Sequence, residues 1–276
     1  MSRRFGLNGA TTGQRDLLTD LRAAHEAGYH ALELRDSKVQ VYLKGGGSLY
    51  ALRNELSDAA LEVASFNALE NATLATGDAR NVVLRRCRVL CEWAAAVDCP
   101  YVVVVPSPRT DTRDTERIRE MTVEALRAMA AVAKPYGVRI GFEFLGFSTC
   151  SVNTLAKARQ IVDAVKDPTV GLVLDAFHFY VGGSTVEMLA GLKADQLFLV
   201  HLDDAENRPR QTLTDAHRLL PGDGVIPLRD LVGRVEALGY RGVYSIELFR
   251  PEYYEWDPVK LAQVALQKMG ALFAQA

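Results

Sequence analysis

Short apolar runs rich in Val, Leu and Ile alternate along the chain with longer segments in which apolar residues recur every three or four positions. The short runs are typical of β-strands and the longer segments of amphipathic helices. We predict strands at 5–8, 30–34, 61–67, 101–105, 138–144, 170–174, 197–201 and 242–247. We predict helices at about 14–27, 48–60, a long one ending near 93, and then at 115–134, 153–166, 184–193, 227–238 and 258–274.

This pattern amounts to eight strand–helix units, and the Val-rich runs suit parallel strands that are buried on both faces. Eight such units in about 250 residues are typical of an α/β fold of the (β/α)8 TIM-barrel type. We therefore predict one TIM-barrel domain over residues 1–276. A doubly wound open sheet is the alternative, but the glycines at 8–13 have the wrong spacing for a dinucleotide fingerprint. The triglycine at 45–47 lacks the lysine and threonine of a phosphate-binding loop.

The composition of the chain limits the classes of partner that it is expected to bind. The chain has 276 residues, 49% of them hydrophobic, and a formal net charge of -2. Lys and Arg are spread out and form no basic run, so we do not expect a nucleic-acid partner. Arg3 and Arg4 precede no apolar stretch, and no apolar run has the length of a membrane span. We therefore expect a cytoplasmic protein without a signal peptide or a membrane segment.

Two of the four cysteines, Cys87 and Cys91, lie four residues apart on a predicted helix and so share one face. Such a pair can bind a metal ion or can be two small buried apolar side chains. No second Cys or His pair with zinc-site spacing accompanies them, so we favour the buried interpretation in a reducing compartment.

Charged residues fall at the ends of four consecutive predicted strands. Glu143 ends the fifth, Asp175 follows the sixth, His201 ends the seventh and Glu247 ends the eighth. In a TIM barrel these positions are adjacent at the carboxyl-terminal rim, where active sites of this fold lie. Three carboxylates packed together would repel one another, and a divalent cation removes that conflict. Oxygen and imidazole ligands suit Mn²⁺, Co²⁺, Zn²⁺ or Mg²⁺, and the lack of a thiolate argues against a purely structural zinc site.

Each of these residues taken alone has a simpler interpretation. His201 could be a satisfied polar residue, Asp175 could cap the turn that follows it, and either glutamate could pair with an arginine such as Arg250. Their joint occurrence at equivalent ends of neighbouring strands favours the metal site.

Two further residues follow the sixth and seventh strands. His178 lies three residues after Asp175, in DAFHF. It is either a contact of a substrate hydroxyl group or a proton carrier, or else a loop histidine packed between Phe177 and Phe179. Arg218 lies in a long loop before the tight turn LLPGDG, which could direct it into the site, although a solvated arginine is the common case.

The stretches GVRIGFEFLG, VGLVLDAFHFY, HLDDAEN and VYSIELFRPEYY resemble the xylose-isomerase-like superfamily of sugar isomerases and epimerases, and within it the inosose isomerase branch. The resemblance implies a TIM barrel with one divalent metal ion held by the positions matching Glu143, Asp175, His201 and Glu247. It also implies that Glu143 and Glu247 transfer protons, and that the positions matching His178 and Arg218 contact substrate hydroxyl groups.

This resemblance predicts an enzyme that isomerises a keto-inositol through an enediolate, of the type that converts 2-keto-myo-inositol to 1-keto-D-chiro-inositol. A ketose 3-epimerase and another keto-sugar isomerase or lyase are alternatives, because all share the enediolate. A sugar-binding protein without catalysis is a further alternative. No cluster of Lys and Arg indicates a phosphate, so we expect an uncharged polyol ketone as substrate, and the chain is a possible homo-oligomer. Other candidate pocket residues are Asn8, Glu33, Arg35, Asn67, Pro106, Phe249, Tyr253 and Tyr254.

Overall fold

A computed structural model describes residues 3–108 and 114–274 of the chain. Eight parallel strands close into a barrel in which the first strand pairs with the last. The barrel strands are β1 (Arg4–Asn8), β2 (Ala31–Arg35), β3 (Glu62–Leu69), β4 (Tyr101–Val104), β5 (Arg139–Glu143), β6 (Val170–Asp175), β7 (Leu197–His201) and β10 (Val243–Ile246). The predicted TIM barrel is therefore confirmed. The predicted domain boundaries at 1 and 276 lie outside the described residues and stay predictions.

Helices follow the strands around the barrel. They are α1 (Leu17–Ala27), α2 (Asp36–Lys44), α3 (Leu49–Asp58), α4 (Gly77–Ala96), α5 (Thr115–Ala133), α6 (Leu155–Val165), α7 (Ala176–Val181), α8 (Leu228–Ala237), α9 (Pro251–Tyr254) and α10 (Pro258–Phe273). Several begin at a side-chain cap, such as Asp16 before α1, whose carboxylate accepts a hydrogen bond from the Thr19 amide at 2.8 Å. Such caps satisfy amides that have no partner in the first turn.

The predicted helix at 184–193 is wrong. The chain there forms one short 3₁₀ segment, Val186–Leu189, and a second, Ala194–Gln196, follows the predicted range. Gly191 between them adopts a φ of 74°, which a helix does not accommodate. The helix α2 was not predicted, because Val39 is its one buried residue and a single buried position gives no helical period.

A large apolar layer lies between the strands and the surrounding helices. The barrel interior holds a second, smaller cluster of short side chains: Ala31, Ala64, Ala68, Val103, Val173, Leu199 and Val243. Small and β-branched residues fill a barrel of this size without a pore. The polar residues at the carboxyl ends of the strands therefore lie on a packed floor.

A two-stranded antiparallel sheet covers part of that end. Its strands are β8 (Asp204–Ala205) and β9 (Arg218–Leu219). The Asp204 carboxylate accepts hydrogen bonds from the amides of Gly222, Gly224 and Ile226 at 2.8–3.0 Å. These bonds organise the predicted turn and bring Arg218 over the barrel.

Cys87 and Cys91 are both buried in α4, as favoured from the sequence. They belong to no group that could hold a metal ion within the described residues. Over the same residues, we find no helix with the length and apolar character needed to cross a membrane.

Candidate metal centre and active site

The four residues predicted to bind a metal ion meet at the carboxyl end of the barrel. Glu143, Asp175 and His201 end β5, β6 and β7, and Glu247 directly follows β10. Each offers one ligand atom, and these atoms all lie within 4.8 Å of one another. All four side chains are buried, the most exposed being Glu247 at 4%. Within the described part of the chain, no other cluster of three or more such side chains has this arrangement.

The imidazole of His201 lies at the centre of the group. Its Nδ1 atom is 3.1 Å from Oε1 of Glu143, 3.4 Å from Oε2 of Glu247 and 3.5 Å from Oδ2 of Asp175. Asp175 and His201 are register partners on adjacent strands, which places these two side chains together. One ring nitrogen thus faces three carboxylates.

The other ring nitrogen of His201 is held by Glu33, in the middle of β2. Nε2 lies 3.1 Å from Oε1 of Glu33, and the Ser65 hydroxyl donates to Oε2 of Glu33 at 2.6 Å. Burial raises the pKa of Glu33, but the neighbouring imidazole and hydroxyl groups outweigh it and lower the pKa to about 2. An ionised Glu33 accepts the Nε2 proton and leaves a lone pair on Nδ1, as a metal-binding histidine requires.

Glu247 is held on its second oxygen. Oε1 accepts hydrogen bonds from the amides of Asn8 at 3.0 Å and Asn67 at 3.3 Å, and it lies 3.7 Å from Nη1 of Arg35. Arg35 in turn donates to Oδ1 of Asn67 at 2.9 Å. These polar groups of β1, β2 and β3 therefore orient Oε2 of Glu247 toward His201.

Asp175 forms the cap that the sequence offered as an alternative, and its other carboxylate oxygen faces the cluster. Its Oδ1 caps α7 by accepting a hydrogen bond from the His178 amide at 2.7 Å. Its Oδ2 accepts from Nη1 of Arg218 at 2.6 Å and faces His201. Burial would raise the pKa of Asp175, but the guanidinium of Arg218 and the two imidazoles outweigh it and hold the pKa far below its usual range.

Arg218 is 1% exposed, contrary to the common case of a solvated loop arginine. Beyond Asp175, its guanidinium donates to Asp203 and, through Nε, to Asp215 at 3.1 Å. The guanidinium also lies over the rings of Phe177 and Phe249, at 4.8 and 5.2 Å from their centroids. The carboxylates and the two ring faces thus offset the free-energy cost of burying the charge of Arg218.

His178 lies beneath Arg218, which donates from Nη2 to Nε2 of His178 at 3.1 Å. Since Nε2 accepts, the proton of the neutral ring is on Nδ1, and this buried atom has no hydrogen-bond partner among the described residues. Burial lowers the pKa of His178, which favours the neutral ring. The ring packs edge-on against Phe147 at 5.1 Å and Phe177 at 5.7 Å. His178 is thus packed among phenylalanines, and its role as a substrate contact stays a prediction.

A cavity of about 280 Å³ lies over these residues. Its lining includes His178, Arg218, Glu143 and Glu247, together with the sequence candidates Arg35, Asn67, Pro106 and Phe249. The candidates Asn8 and Glu33 lie below it and contact Glu247 and His201 instead. Tyr253 is a structural residue that accepts a hydrogen bond from the Leu220 amide, and Tyr254 lines a neighbouring groove.

The charges of the cluster fit a bound cation. Burial and the neighbouring carboxylates of Glu143 and Asp175 raise the pKa of Glu247 to about 8. Burial lowers the pKa of His201, yet the surrounding carboxylates raise it well above its usual value. The carboxylate contributions to both shifts reflect negative charge gathered around His201, which a divalent ion would neutralise. Three carboxylates and one imidazole are a donor set for Mn²⁺, Co²⁺ or Zn²⁺.

Sequence reasoning missed Asp203 and the role of Glu33. Asp203 lies in HLDDAEN, is fully buried, and binds both Arg218 and the Phe177 amide, the latter at 3.0 Å. Glu33 carried the same signal as Glu247, a carboxylate inside an apolar strand, ALELR. Its partner, His201, is 168 residues away in the chain, so the sequence around Glu33 does not reveal the pair.

The closed barrel and the four-residue cluster together define a TIM-barrel protein with a site suited to one divalent metal ion. Comparison with known proteins supports this class. The chain belongs to the xylose isomerase-like TIM barrel family, whose model matches residues 21–272.

Among curated proteins, the chain is 35% identical over 250 residues to an inosose isomerase of Halalkalibacterium halodurans. The match covers 90% of this chain and 88% of that protein. It is also 35% identical over 260 residues to an inosose isomerase of Bacillus subtilis, covering 94% and 93%. Among solved structures, the IolI protein with a bound zinc atom superposes with a TM-score of 0.95 at 33% identity, covering 99% of this chain and 98% of that chain.

Proposed function

We propose that this protein is a divalent-metal-dependent isomerase of a keto-inositol, of the type that converts 2-keto-myo-inositol to 1-keto-D-chiro-inositol. The observation that carries the proposal is the buried Glu143–Asp175–His201–Glu247 cluster at the floor of a cavity. The inosose isomerases at 35% identity over nearly the whole chain support the substrate class.

The four clustered side chains would hold one divalent ion, with Nδ1 of His201 as the nitrogen ligand. The bound ion would supply a positive charge next to the ketone oxygen, where negative charge develops in the reaction. The chain itself contributes the orientation of each ligand. Glu33 holds His201, Arg218 holds Asp175, and two amides hold Glu247.

Glu143 and Glu247 are the candidate proton carriers. A carboxylate within hydrogen-bond reach of the α-carbon accepts its proton, and a second group returns a proton to the neighbouring carbon. The hydroxyl proton of the α-carbon passes to the former ketone oxygen at the same time, so the carbonyl moves by one position and no other reactant is needed. Glu247 is restrained on Oε1 by Asn8 and Asn67, whereas His201 is the hydrogen-bonding contact of Glu143 in the cluster. We therefore assign the first proton transfer to Glu143 and the return to Glu247.

The remaining cavity groups suit an uncharged polyol. The unpartnered Nδ1 proton of His178 is available to a substrate hydroxyl group. Both arginines of the lining already lie within 4 Å of a carboxylate, Arg35 of Glu247 and Arg218 of Asp175. A phosphate or carboxylate on the substrate would find no uncommitted guanidinium among these lining residues and would face Glu143. Arg218 then acts on the substrate chiefly through His178, to which it donates from Nη2.

The test is an NMR assay of the purified protein with 2-keto-myo-inositol and Mn²⁺ in D₂O, with an EDTA-treated control. We expect metal-dependent exchange of the α-proton and appearance of the neighbouring ketone. Exchange with epimerisation at the same carbon would instead support the alternative 3-epimerase activity. Absence of both exchange and product would reject this substrate.

A matched pair of variants tests the site. Glu247→Gln should lower turnover by about 10²–10⁴-fold, the usual contribution of a general acid–base group, and should weaken metal binding. Glu252→Gln removes a glutamate from the exposed surface of α9 and should leave both unchanged. Full turnover in Glu247→Gln would sink the proposed role.

Two predictions from the sequence stay open. A homo-oligomer would be detected by light scattering after size-exclusion chromatography. A cytoplasmic location would be detected by fractionation of the producing cells.

A further inference from the structure

A second cavity, a groove of about 620 Å³, lies beside the candidate site on the same end of the barrel. Its walls come from the segments that follow β1, β2 and β10: the start of α1, the helix α2 with the loop behind it, and the residues around α9. We call it the outer groove and define it by Gln14, Leu18, Ser37, Val41, Tyr42 and Tyr254. None of these residues has a role in the site described above.

The outer groove shares a wall with the site cavity. Arg35 and Phe249 line both spaces, and the Arg35 guanidinium lies 5.8 Å from the centre of the Phe249 ring. A substituent that leaves the site cavity past these two side chains therefore enters the outer groove.

The outer groove is about twice as large as the site cavity. The site cavity has about 280 Å³, at the small end of the usual range for ligand pockets. That volume suits one six-membered polyol ring. The outer groove, at about 620 Å³, has room for a second ring.

The walls of the outer groove combine apolar faces with polar edges. Val41 is 67% exposed and Leu18 is 43% exposed, although both are apolar. The Tyr254 ring packs on Gly13, where a Cβ atom would lie 2.7 Å from the ring, and the Tyr42 ring packs on Gly47 in the same way. Backbone packed against one side of each ring fixes its position. Fixed aromatic rings with polar neighbours are suited to the face of a sugar ring, which is apolar in the middle and hydroxylated at its edge.

Charged residues of both signs line the groove, namely Arg15, Asp16, Arg35 and Lys38. The Lys38 ammonium is already bound by the Gly9 carbonyl at 2.7 Å, the Thr12 hydroxyl at 2.8 Å and the Asp20 carboxylate at 2.8 Å. All three ammonium donors are thus used inside the protein. The carboxylate of Asp16 also lines the groove. Arg35 lies 3.7 Å from the Glu247 carboxylate, so the remaining lining charges are Arg15 and Asp16, which are of opposite sign. This balance of charge favours an uncharged substituent.

We propose that the outer groove is a second sugar subsite, so that the enzyme accepts a keto-polyol that carries a glycosyl group, with the ketone ring in the site cavity and the glycosyl ring in the groove. This inference rests on the proposed function for the position of the ketone ring. The groove residues themselves are independent of the metal ligands.

The test is calorimetric titration of the zinc-loaded protein with myo-inositol and with galactosyl-myo-inositol. Binding of these unreactive polyols does not require turnover. We expect the galactoside to bind at least tenfold more tightly. Ser37→Trp, at an exposed position of α2 on the groove, should remove that difference and leave myo-inositol binding unchanged. Val82→Trp is the matched control, because Val82 is 55% exposed on the distant helix α4.

Equal affinities for the two polyols, no binding of the galactoside, or a galactoside advantage that survives in Ser37→Trp would each overturn the subsite. The inosose assay separates this outcome from failure of the proposed function. Inosose turnover without a galactoside advantage rejects the subsite alone, whereas loss of both myo-inositol binding and inosose turnover rejects the proposed function as well.

Discussion

Replacement of Glu33 by leucine should weaken metal binding although Glu33 is not one of the four clustered ligands. Glu33 and His201 are both fully buried, and Nε2 of His201 lies 3.1 Å from the Glu33 carboxylate. Leucine removes the acceptor for the Nε2 proton. The proton is then free to move to Nδ1, and a protonated Nδ1 cannot bind a metal ion.

The expected magnitude follows from this contact. Loss of the outer partner of a metal-binding histidine lowers metal affinity by about 10–100-fold, which corresponds to about 1.4–2.8 kcal/mol. Glu33→Gln keeps an oxygen that accepts the Nε2 proton. This variant should therefore lose metal affinity by about tenfold or less, the lower end of that range. Glu33→Leu also leaves the Ser65 hydroxyl without its acceptor, which costs about 1–3 kcal/mol of folding stability.

The assay is competition for Zn²⁺ between the protein and a chromophoric chelator, with circular dichroism to establish folding. The visible spectrum of the Co²⁺-loaded protein gives a second measurement, because it responds to a change of the nitrogen ligand. Glu62→Leu is the control, since Glu62 is an exposed glutamate at the opposite end of the barrel. A folded Glu33→Leu protein with unchanged Zn²⁺ affinity would refute the proposed role of Glu33.

Two other buried charge pairs give further predictions. Asp203→Ala should lower stability by about 1–3 kcal/mol, because the buried Phe177 amide loses its acceptor while Arg218 keeps Asp175, and chemical denaturation measures this loss. Lys38→Met should cost about 3–5 kcal/mol by leaving the Asp20 carboxylate buried without its cation, whereas Arg119→Met on the surface should change stability by less than about 1 kcal/mol. Burial raises the pKa of Asp20 from 3.8 to about 6, so the folded protein binds this proton more tightly than the unfolded chain and the group adds stability as the pH falls through that window. The Lys38→Met penalty should therefore be smaller at pH 5 than at pH 8, and a larger penalty at pH 5 would contradict the assignment.

The strands were predictable because their signal is local. A run such as Val170–Asp175 is buried on both faces, so its composition alone distinguishes it from a helix. The segment 184–193 lacked such a signal. Its apolar residues suggested a helix, but Gly191 and the packing of Leu189 and Leu192 on the core favour short 3₁₀ turns.

The location of the candidate site was also predictable, since the carboxyl ends of consecutive parallel strands meet at one rim. That rule by itself places Glu143, Asp175, His201 and Glu247 together. It does not reveal which atoms face each other, and it leaves Arg218 as a loop residue, whereas the fold places Arg218 at the centre of a buried network.

What the sequence determined by itself is therefore the order of strands and helices, the closed barrel and the rim positions of the charged residues, because periodicity and strand ends depend on neighbours along the chain. Only the tertiary structure decided that Glu33 holds His201, that Asn8 and Asn67 hold Glu247, and that Asp203 helps to bury Arg218. These pairs join residues from different strands and loops. Their existence depends on barrel register and on the balance between desolvation and charge at each buried atom, and neither quantity is written in a local stretch of sequence.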